Sequence, residues 1–458
     1  MKKVLLLAVN SSWSHSSLSL YYLRAMLETM PYQTEIYNCT LKDDPSEILY
    51  ELVAKEADII CASVYIWNRA YLERLLSAVA SLRPRIKIII GGPEAPYLKA
   101  PHRYTLIKGP GELAFKRLAE SGFQIHEDCI EAENYLLKEI PFPYREEDKR
   151  DLEGKLVYYE TGRGCPYGCV YCLSAQDPRR EFRFDTSNPR DLEKLHRELD
   201  SLIALKPKTL KFVDRSFNIN KDLAHRIWEY MIDREDACIC HFEIYPDLIT
   251  DDDIRILKKV KPGRFRFEIG IQTCNPEALK ASGRNTDWQK SKEQLLKLKE
   301  ETHILMHCDL LIGLPGDSYQ WVIDSLDQLM EIRPAELQLG LLKILPDTPM
   351  LSVARERGYI WEEIAPYKVL QSDTMSFEEI IHLDRLAHVI NLYWNKADTR
   401  QIVLDALSKS RASDVFLGLV DYHINEHLPF HSLSPARRSG ALESVISSQI
   451  EAGERLEG

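Results

Sequence analysis

The sequence predicts an α/β protein in three parts: an N-terminal doubly wound Rossmann-like domain, a partial (β/α)6 TIM-type barrel and a C-terminal α-helical domain. Two observations lead to this prediction. Short, continuous apolar runs alternate with amphipathic runs through the first 125 residues, and a second alternation of six such units begins near residue 151. Apolar strands separated by helices are typical of parallel sheets that are covered on both faces. After Pro349 the pattern becomes mainly helical.

Five strands are expected in the first domain, residues 1–125. Their ranges are 3–9, 34–39, 58–65, 87–92 and 105–109, with helical patterns near 17–28, 45–56, 70–82 and 111–121. Domains of this kind bind ligands at the carboxyl ends of their strands. Residues 126–150 are polar and irregular, contain Pro141 and Pro143, and are interpreted as a linker.

Six strands are expected in the second domain, residues 151–350. Their ranges are 156–161, 209–217, 239–245, 264–272, 307–314 and 336–345. A closed TIM barrel has eight β/α units, so six units indicate a partial, open barrel. The third domain, residues 351–458, shows helical patterns near 376–394, 398–409, 412–424 and 436–452 that point to no particular function.

Composition and charge narrow the classes of partner. The hydrophobic content of 45% and charged content of 28% are typical of a globular protein. The net charge of −11 provides no long-range attraction to nucleic acid, and we do not expect a nucleic-acid partner. The opening apolar run, residues 4–9, is too short for a signal peptide or a membrane span, so we expect a cytoplasmic protein without a membrane partner.

Three of the ten cysteines stand out by their spacing. Cys165, Cys169 and Cys172 form a C-x3-C-x2-C pattern directly after the strand at 156–161. Thiolates suit iron–sulfur clusters, and a cubane with only three protein ligands keeps one iron open for an exogenous ligand. A zinc site would need a fourth ligand, and none lies nearby in a usual spacing. Most of the other seven lie inside apolar runs, where they are interpreted as small buried hydrophobes; the seven are Cys39, Cys61, Cys129, Cys238, Cys240, Cys274 and Cys308.

At this motif the chain resembles the radical S-adenosylmethionine (SAM) superfamily. The superfamily pattern is C-x3-C-x-aromatic-C, and Tyr171 fills the aromatic position. The resemblance implies a 4Fe–4S cluster whose open iron chelates SAM, and a one-electron cleavage that yields a 5′-deoxyadenosyl radical. It also implies that Tyr171 lies near the adenine, and that a reductant such as flavodoxin or ferredoxin is a partner.

Two later stretches extend the resemblance. Residues 266–284 and 308–318 are similar to the corresponding region of the oxygen-independent coproporphyrinogen oxidase group. That similarity implies SAM contacts from Glu243, Gln272, Arg284 and Asp309. Carboxylates and an amide suit ribose hydroxyls, whereas arginine suits the methionine carboxylate. The Gly-Gly-Glu segment of the superfamily is replaced by the sequence VDRSF, in which Asp214 and Arg215 are the candidates for its place.

The first domain resembles cobalamin-binding domains in the order and spacing of three segments. Ser63-Val64-Tyr65 follows the third strand, Gly91-Gly92 closes the fourth, and Gly109-Pro110-Gly111-Glu112 follows the fifth. These segments correspond to the family's S-x-L, GG and GEGE segments. The resemblance implies cobalamin contacts from nine residues: Ser12, His15, Ser63, Tyr65, Gly91, Gly92, Pro93, Gly111 and Glu112.

The loop after the first strand departs from that pattern. Cobalamin domains with a histidine ligand carry D-x-H-x-x-G there, whereas Trp13 and Leu18 occupy the Asp and Gly positions around His15. A histidine without its carboxylate partner is a poorer metal ligand. We therefore expect cobalamin to bind base-off, without histidine ligation.

Taken together, the architecture resembles the cobalamin-dependent radical SAM family, including its subgroup with a C-terminal helical domain of unknown function. The implied cofactors are a 4Fe–4S cluster, SAM and cobalamin. The leading hypothesis is methyl transfer to an unactivated carbon or phosphorus centre of an unidentified small molecule or peptide. The alternatives are a radical cyclisation, ring contraction or rearrangement, a methylthiotransferase with a second cluster in the first domain, and a non-catalytic cobalamin sensor.

Overall fold

The structure of the protein, a computed structural model, describes residues 1–99 and 104–457. Residues 100–103 of the predicted first domain and residue 458 of the predicted third domain lie outside this part. The chain forms two compact units. The first comprises residues 1–163, 180–214 and 233–240, and the second comprises residues 164–179, 215–232 and 241–458. The domain bounds expected from the sequence remain a prediction.

The first unit contains a parallel six-stranded sheet with the order β2-β1-β3-β4-β5-β6. Its strands are β1 (Lys2–Asn10), β2 (Tyr32–Thr40), β3 (Ile59–Ser63), β4 (Lys87–Gly91), β5 (Tyr104–Lys108) and β6 (Cys129–Glu131). Its helices are α1 (Leu18–Met26), α2 (Pro45–Ala54), α3 (Arg69–Leu82) and α4 (Glu112–Glu120). The predicted doubly wound domain is thus confirmed.

Both faces of this sheet are buried, as its continuous apolar strands predict. Alternate residues of β1 enter two separate cores. Val4 and Leu6 pack with residues of α1 and α4, whereas Leu5 and Leu7 pack with residues of α2 and α3. Because every residue of β1 from Val4 to Val9 enters one core or the other, this strand is an apolar run without polar alternation.

Strand order places a topological switch point between β1 and β3. The chain runs from β1 to its neighbour β2 and then crosses to β3 on the other side of β1. The loops that leave β1 and β3 therefore diverge and open a crevice at the carboxyl ends of these strands, where doubly wound folds bind ligands. The loop after β1 carries Ser12 and His15, and β3 ends at Ser63.

The region expected to be a linker contributes regular structure. Residues 129–131 form β6 at the edge of the first sheet, paired with β5, and a short helix, α5 (Lys149–Leu152), precedes the next strand. The sequence did not predict β6 or α5, and the interpretation of residues 126–150 as a linker remains a prediction. A three-residue edge strand shows no apolar pattern because only its middle residue is partly buried.

A second sheet has the strand order β14-β13-β12-β11-β10-β7. The strands of this region are β7 (Leu156–Tyr159), β8 (Gly162–Arg163), β9 (Glu181–Phe182), β10 (Thr209–Phe212), β11 (Ile239–Glu243), β12 (Phe265–Gln272), β13 (Leu305–Ile312) and β14 (Glu336–Leu341). Its helices are α6 (Pro189–Ala204), α7 (Lys221–Asp233), α8 (Asp251–Leu257), α9 (Pro276–Ala281), α10 (Trp288–Glu301) and α11 (Tyr319–Met330). All six strands predicted for an open barrel are present.

The C-terminal part is mainly helical, as predicted, with one exception. Its elements are α12 (Met350–Glu356), β15 (Ile360–Trp361), β16 (Val369–Gln371), α13 (Phe377–Tyr393), α14 (Ala397–Ala406), α15 (Ala412–Asn425) and α16 (Pro435–Glu457). The sequence did not predict the antiparallel pair of β15 and β16, because strands of two and three residues are too short to show a period. No helix within the described part of the chain is long and apolar enough to cross a membrane.

Candidate functional site

Strands β11 to β14 present a row of polar side chains on one face. Along β12 and β13 buried residues alternate with half-buried ones, and the half-buried positions carry the polar groups. The His241 ring lies 3.0 Å from the Glu268 carboxylate, which shows that the half-buried positions of β11 and β12 share a face. Glu243 and Asp309 occupy positions of the same kind. The predicted SAM carboxylates therefore lie on one polar face of the open sheet.

Gln272 ends β12 in an unusual conformation. Its φ is 74°, in the left-handed region that non-glycine residues rarely adopt, and the strand register shifts between Gly270 and Gln272. Its buried Oε1 atom accepts no hydrogen bond from the described residues. A buried acceptor without a donor is costly, so a ligand hydroxyl at this position would satisfy it. This fits a ribose contact for Gln272.

The cysteine loop, residues 164–179, belongs to the second unit. Cys165 and Cys169 are buried and Cys172 is half-buried. Burial, and to a smaller extent the charges of Cys172 and Cys169, raise the pKa of the Cys165 thiol. Ligation to the irons of a cluster would stabilise the thiolate form of these cysteines.

The three thiols are not arranged around a single metal ion. Within the described residues, no three His, Cys, Asp or Glu side chains form a group that could hold one ion. In a cubane each cysteine ligates a different iron atom, so the sulfurs need not converge on one point. The arrangement is compatible with a cluster.

The turn after α9 contacts the cysteine loop at two points. The Val170 amide donates a hydrogen bond of 3.0 Å to the Ser282 carbonyl. Gly283 has a φ of +66°, and a Cβ atom there would lie only 2.7 Å from the Gly168 carbonyl oxygen. Glycine is therefore required at this contact by both backbone conformation and space.

Arg284 follows directly and is placed beside the aromatic position of the motif. Its guanidinium donates to the Gly270 carbonyl and lies 4.9 Å from the centre of the Tyr245 ring. Burial raises the pKa of Tyr171, and the Arg284 charge opposes that rise. The predicted SAM residues Tyr171, Gln272 and Arg284 are thereby brought together, although they are distant in sequence.

Asp214 and Arg215 of the VDRSF segment have different partners. In the first unit, buried Asp214 accepts hydrogen bonds from the Thr161 amide at 3.0 Å and hydroxyl at 2.6 Å, and burial raises its pKa to about 7. In the second unit, Arg215 lies 3.5 Å from the Glu243 carboxylate. Asp214 is thus engaged with Thr161, and Arg215 is a partner of a predicted SAM residue.

Several residues of this face escaped the sequence analysis. They are His241, Glu268 and His307 on the strands, and the stacked pair Tyr167 and Tyr245, whose ring centres are 4.0 Å apart. His307 lies 3.3 Å from Asp309. The histidines could have been predicted from the alternation of apolar and polar residues in the strand sequences ICHFEIY and HCDLLIGL, which places His241 and His307 on the polar face. No sequence pattern could have paired the two tyrosines.

In the first unit, predicted cobalamin residues lie at the carboxyl ends of β3 and β4. Ser63 pairs in register with Gly91, and its hydroxyl is 2.9 Å from that of Ser19. Gly92 has a φ of +98°, and a Cβ atom there would lie 2.6 Å from the Val64 carbonyl oxygen. Gly92 and Pro93 are exposed at this edge. Glycine is therefore required at position 92 by its positive φ and by its close approach to Val64. The exposed backbone of Gly92 and Pro93 fits a nucleotide tail at this edge.

Aromatic side chains flank the same edge. The Tyr65 hydroxyl lies 3.3 Å from the Ser19 hydroxyl, and the Tyr65 ring stacks on Trp67 with centres 4.4 Å apart. Trp67 is 48% exposed. An exposed stacked pair beside the crevice offers a flat apolar surface to a planar ligand.

The loop after β1 holds the other two predicted contacts of the crevice. The Ser12 hydroxyl is 2.7 Å from that of Ser14. The His15 Nδ1 atom lies 2.7 Å from the Tyr158 hydroxyl, and partial burial lowers the pKa of His15. His15 is thus oriented by a phenol from β7 and not by a carboxylate.

Gly111 and Glu112 begin α4, and the Glu112 side chain has protein partners. Its carboxylate lies 2.9 Å from Arg163 and accepts a hydrogen bond from Tyr135. Burial alone would raise the pKa of Glu112, but the Arg163 charge holds it below its ordinary value. The structure places this carboxylate in an internal ion-pair network.

Three cysteines of the first unit, Cys39, Cys61 and Cys129, do not come together as ligands of a second cluster. Cys39 and Cys61 belong to the two separate cores on opposite faces of the sheet, whereas Cys129 is exposed on β6. Burial raises the pKa of Cys39 to about 12. Ligands of one cluster must lie on one side of the sheet, so this observation counts against the methylthiotransferase alternative.

Three family matches cover most of the chain. Residues 4–119 match the B12 binding domain, residues 159–329 match the radical SAM superfamily, and residues 355–439 match a family described as a protein of unknown function, DUF4080. The first two matches coincide with the two sets of residues described above.

Curated relatives include two methyltransferases. The chain is 22% identical over 347 residues to 2-(S-pantetheinyl)-carbapenam-3-carboxylate methyltransferase of Streptantibioticus cattleyicolor, covering 66% of this chain and 49% of the relative. It is 21% identical to the cobalamin-dependent radical SAM methyltransferase TokK of Streptomyces tokunonensis, covering 64% and 48%. The chain thus spans about half the length of the curated relatives it matches.

Two solved structures share the fold. The cobalamin-dependent SAM radical enzyme OxsB matches with a TM-score of 0.70 at 13% identity, over 99% of this chain and 80% of that chain. The methyltransferase TsrM from Kitasatospora setae, with cobalamin and an iron–sulfur cluster bound, matches with a TM-score of 0.61 at 18% identity, over 80% of both chains. The chain therefore contains a B12 binding domain and a radical SAM domain, whose cofactors are cobalamin, a 4Fe–4S cluster and SAM, and it has the fold of cobalamin-dependent radical SAM enzymes.

Proposed function

We propose that this protein is a radical SAM methyltransferase that acts on an unactivated centre of its substrate. The observation that supports this most is the convergence of Tyr171, Gln272 and Arg284 beside the cysteine loop. When bound, the cluster supplies the electron that cleaves SAM, and cobalamin supplies the methyl carrier. Radical SAM enzymes need an external reductant, for which we propose a flavodoxin or ferredoxin.

The residues of the chain have separate tasks in this proposal. Cys165, Cys169 and Cys172 hold the cluster. Arg284 binds the methionine carboxylate, since its planar guanidinium group can donate two parallel hydrogen bonds to a carboxylate. The Gln272 Oε1 atom accepts a hydrogen bond from a ribose hydroxyl. Carboxylates on the polar face, Glu243 and Asp309, complete the ribose and amine contacts.

The first unit is proposed to hold cobalamin at the switch point. Ser63, Gly91 and Gly92 contact the nucleotide tail, because they lie at the carboxyl ends of β3 and β4 and Gly92 is exposed there. His15 is held by Tyr158 and is not a ligand of cobalt in this proposal. Two curated relatives that each match about two thirds of this chain are named methyltransferases, which supports methyl transfer.

The test uses the full chain, reconstituted anaerobically with iron, sulfide and cobalamin. SAM with a ¹³C-labelled methyl group and a chemical reductant are added, and 5′-deoxyadenosine and label in the corrinoid fraction are measured. We expect both products, and we expect no 5′-deoxyadenosine from Cys169→Ala. Deoxyadenosine without any label in the corrinoid fraction would favour a rearrangement, and the absence of both would contradict an enzymatic role.

A further inference from the structure

The second unit contains a cavity of about 810 Å³ with Tyr171 on its wall. One side consists of β14 and of His307 and Leu311 on β13. Another part of the wall is one face of α13, where lining residues recur at Asp384, Ala387, His388 and Asn391. This spacing of three and four residues is one helix face. The volume is typical of a small-molecule site.

Two lysines on this cavity are held directly opposite each other. Lys343 and Lys368 form an isolated antiparallel bridge. The Ile344 amide donates to the Tyr367 carbonyl and the Val369 amide to the Leu342 carbonyl, each at 2.9 Å. These bonds flank the pair, so it is of the non-hydrogen-bonded kind, in which the two Cα atoms are closest and side chains share a face.

Like charges directly opposite each other in such a pair destabilise it. Among residues that the structure describes, no carboxylate forms an ion pair with either ammonium group. The acids of the cavity lie near histidines: Glu336 is 3.8 Å from His307, and Asp384 is 3.9 Å from His388. Partial burial and the Lys368 charge both lower the pKa of Lys343. An anion between the two ammonium groups would remove this repulsion.

We propose that Lys343 and Lys368 bind an anionic group of the substrate, a carboxylate or a phosphate ester. The inference rests on the proposed function, since it makes this cavity the substrate site. Lys368, Asp384, His388 and Asn391 all lie within residues 355–439, the match of unknown function. That region thereby acquires a role: it recognises the substrate and closes one side of the cavity.

The test is chemical labelling of lysines in the reconstituted full chain. Pyridoxal 5′-phosphate, an anionic aldehyde, is trapped on lysines with borohydride, and labelling at each lysine is measured by peptide mass spectrometry. Chloride, acetate or inorganic phosphate is present at equal ionic strength. We expect acetate or phosphate to reduce labelling of Lys343 and Lys368 about tenfold relative to chloride, because two charge-assisted contacts hold the anion.

Lys290 is the matched control, because it is exposed on α10 and does not line the cavity. Its labelling should be equal in all three salts. Protection by phosphate alone assigns a phosphate ester, and protection by acetate alone assigns a carboxylate. Lys368→Gln should abolish protection of Lys343, whereas Lys290→Gln should preserve it.

Two outcomes would overturn the inference. Equal labelling of Lys343 and Lys368 in all three salts would show that no anion is held there. Protection by SAM alone would assign the lysines to the carboxylate of SAM. The labelling of lysines does not require SAM cleavage, so the two experiments test different claims. If anions protect Lys343 and Lys368 but the protein produces no 5′-deoxyadenosine, only the proposed function is contradicted. If the protein cleaves SAM but anions do not protect the two lysines, only this inference is contradicted.

Discussion

The SAM residues of the second unit and the cobalamin residues of the first differ in how the fold presents them. In the second unit, Gln272 ends a strand, Arg284 follows a short helix, and both converge with Tyr171. In the first unit, Ser63 and Gly92 lie open at the sheet edge, whereas His15 and Glu112 are engaged by Tyr158 and Arg163. The predicted SAM residues thus converge, whereas the predicted cobalamin residues are divided between exposed positions and side chains that already have protein partners.

The physical reason is the constraint that each element imposes. A strand presents alternate side chains to one face, and parallel pairing fixes their register, so residue type and position in a strand nearly determine where a side chain lies. A loop residue can turn to any partner within reach. The first two predictions below test the second unit, and the last two test the first.

The largest expected effect is on the cluster. Cys169→Ala should lose the broad visible absorbance of the cluster, retain little of the expected four irons per chain and produce no 5′-deoxyadenosine, because a cubane with two protein thiolates is not held. Iron content, absorbance and product are measured after anaerobic reconstitution. Cys129→Ser, which alters an exposed cysteine of the first unit, should behave like the parent. Normal deoxyadenosine production by Cys169→Ala would refute the assignment.

The next effect is on SAM binding. Arg284→Ala should weaken SAM binding by about 1.5–3 kcal/mol, roughly 10- to 150-fold, with iron content unchanged, because a charge-assisted contact with the methionine carboxylate is lost. Gln272→Ala should weaken it less, since a neutral hydrogen bond contributes about 1 kcal/mol. Equilibrium dialysis against labelled SAM measures both. Arg355→Ala removes an exposed arginine of α12 and should leave SAM affinity unchanged; parental affinity in all three variants would contradict the predicted SAM contacts.

A smaller effect is expected at the cobalamin edge. Gly92→Ala introduces a Cβ atom 2.6 Å from the Val64 carbonyl oxygen, which must displace backbone where the nucleotide tail is proposed to lie. Cobalamin affinity, measured from the change in corrinoid absorbance, should fall about tenfold. Gly154→Ala is the control, because Gly154 also has a positive φ but no atom lies within 4 Å of its Cβ position. Equal losses in both variants would indicate general backbone strain and not a cobalamin contact.

The smallest effect is expected at His15. If cobalamin binds base-off without a histidine ligand, His15→Ala should bind it with an unchanged electron paramagnetic resonance spectrum in the Co(II) state. Tyr158→Phe removes the hydroxyl 2.7 Å from His15 and should lower the free energy of unfolding by about 1 kcal/mol, with the same spectrum. Nitrogen superhyperfine splitting of the Co(II) signal that disappears only in His15→Ala would identify His15 as the lower axial ligand of cobalt. It would contradict the prediction that cobalamin binds without a histidine ligand.

Much of the fold was readable from the sequence because its signals are local. The apolar runs of β1, β3 and β4 predicted a sheet buried on both faces, since a strand with two covered faces has no polar side to show. The polar residues of β12 and β13 alternate with apolar ones, as expected for strands with one open face. The cysteine spacing identified the cluster loop, because thiolates of one cluster must be close in space.

Other features followed only from tertiary structure. No local pattern predicted that β6 would extend the first sheet, because a strand of two or three residues is too short to show an alternation of apolar and polar residues. For the same reason, no local pattern predicted the isolated bridge between Lys343 and Lys368. Stacking of Tyr167 on Tyr245 and pairing of His15 with Tyr158 join residues far apart in the chain. The sequence by itself thus determined the elements and the chemistry of the cysteine motif. Which side chains meet was decided by strand order and register, because such contacts depend on packing between distant segments and not on the residues beside them.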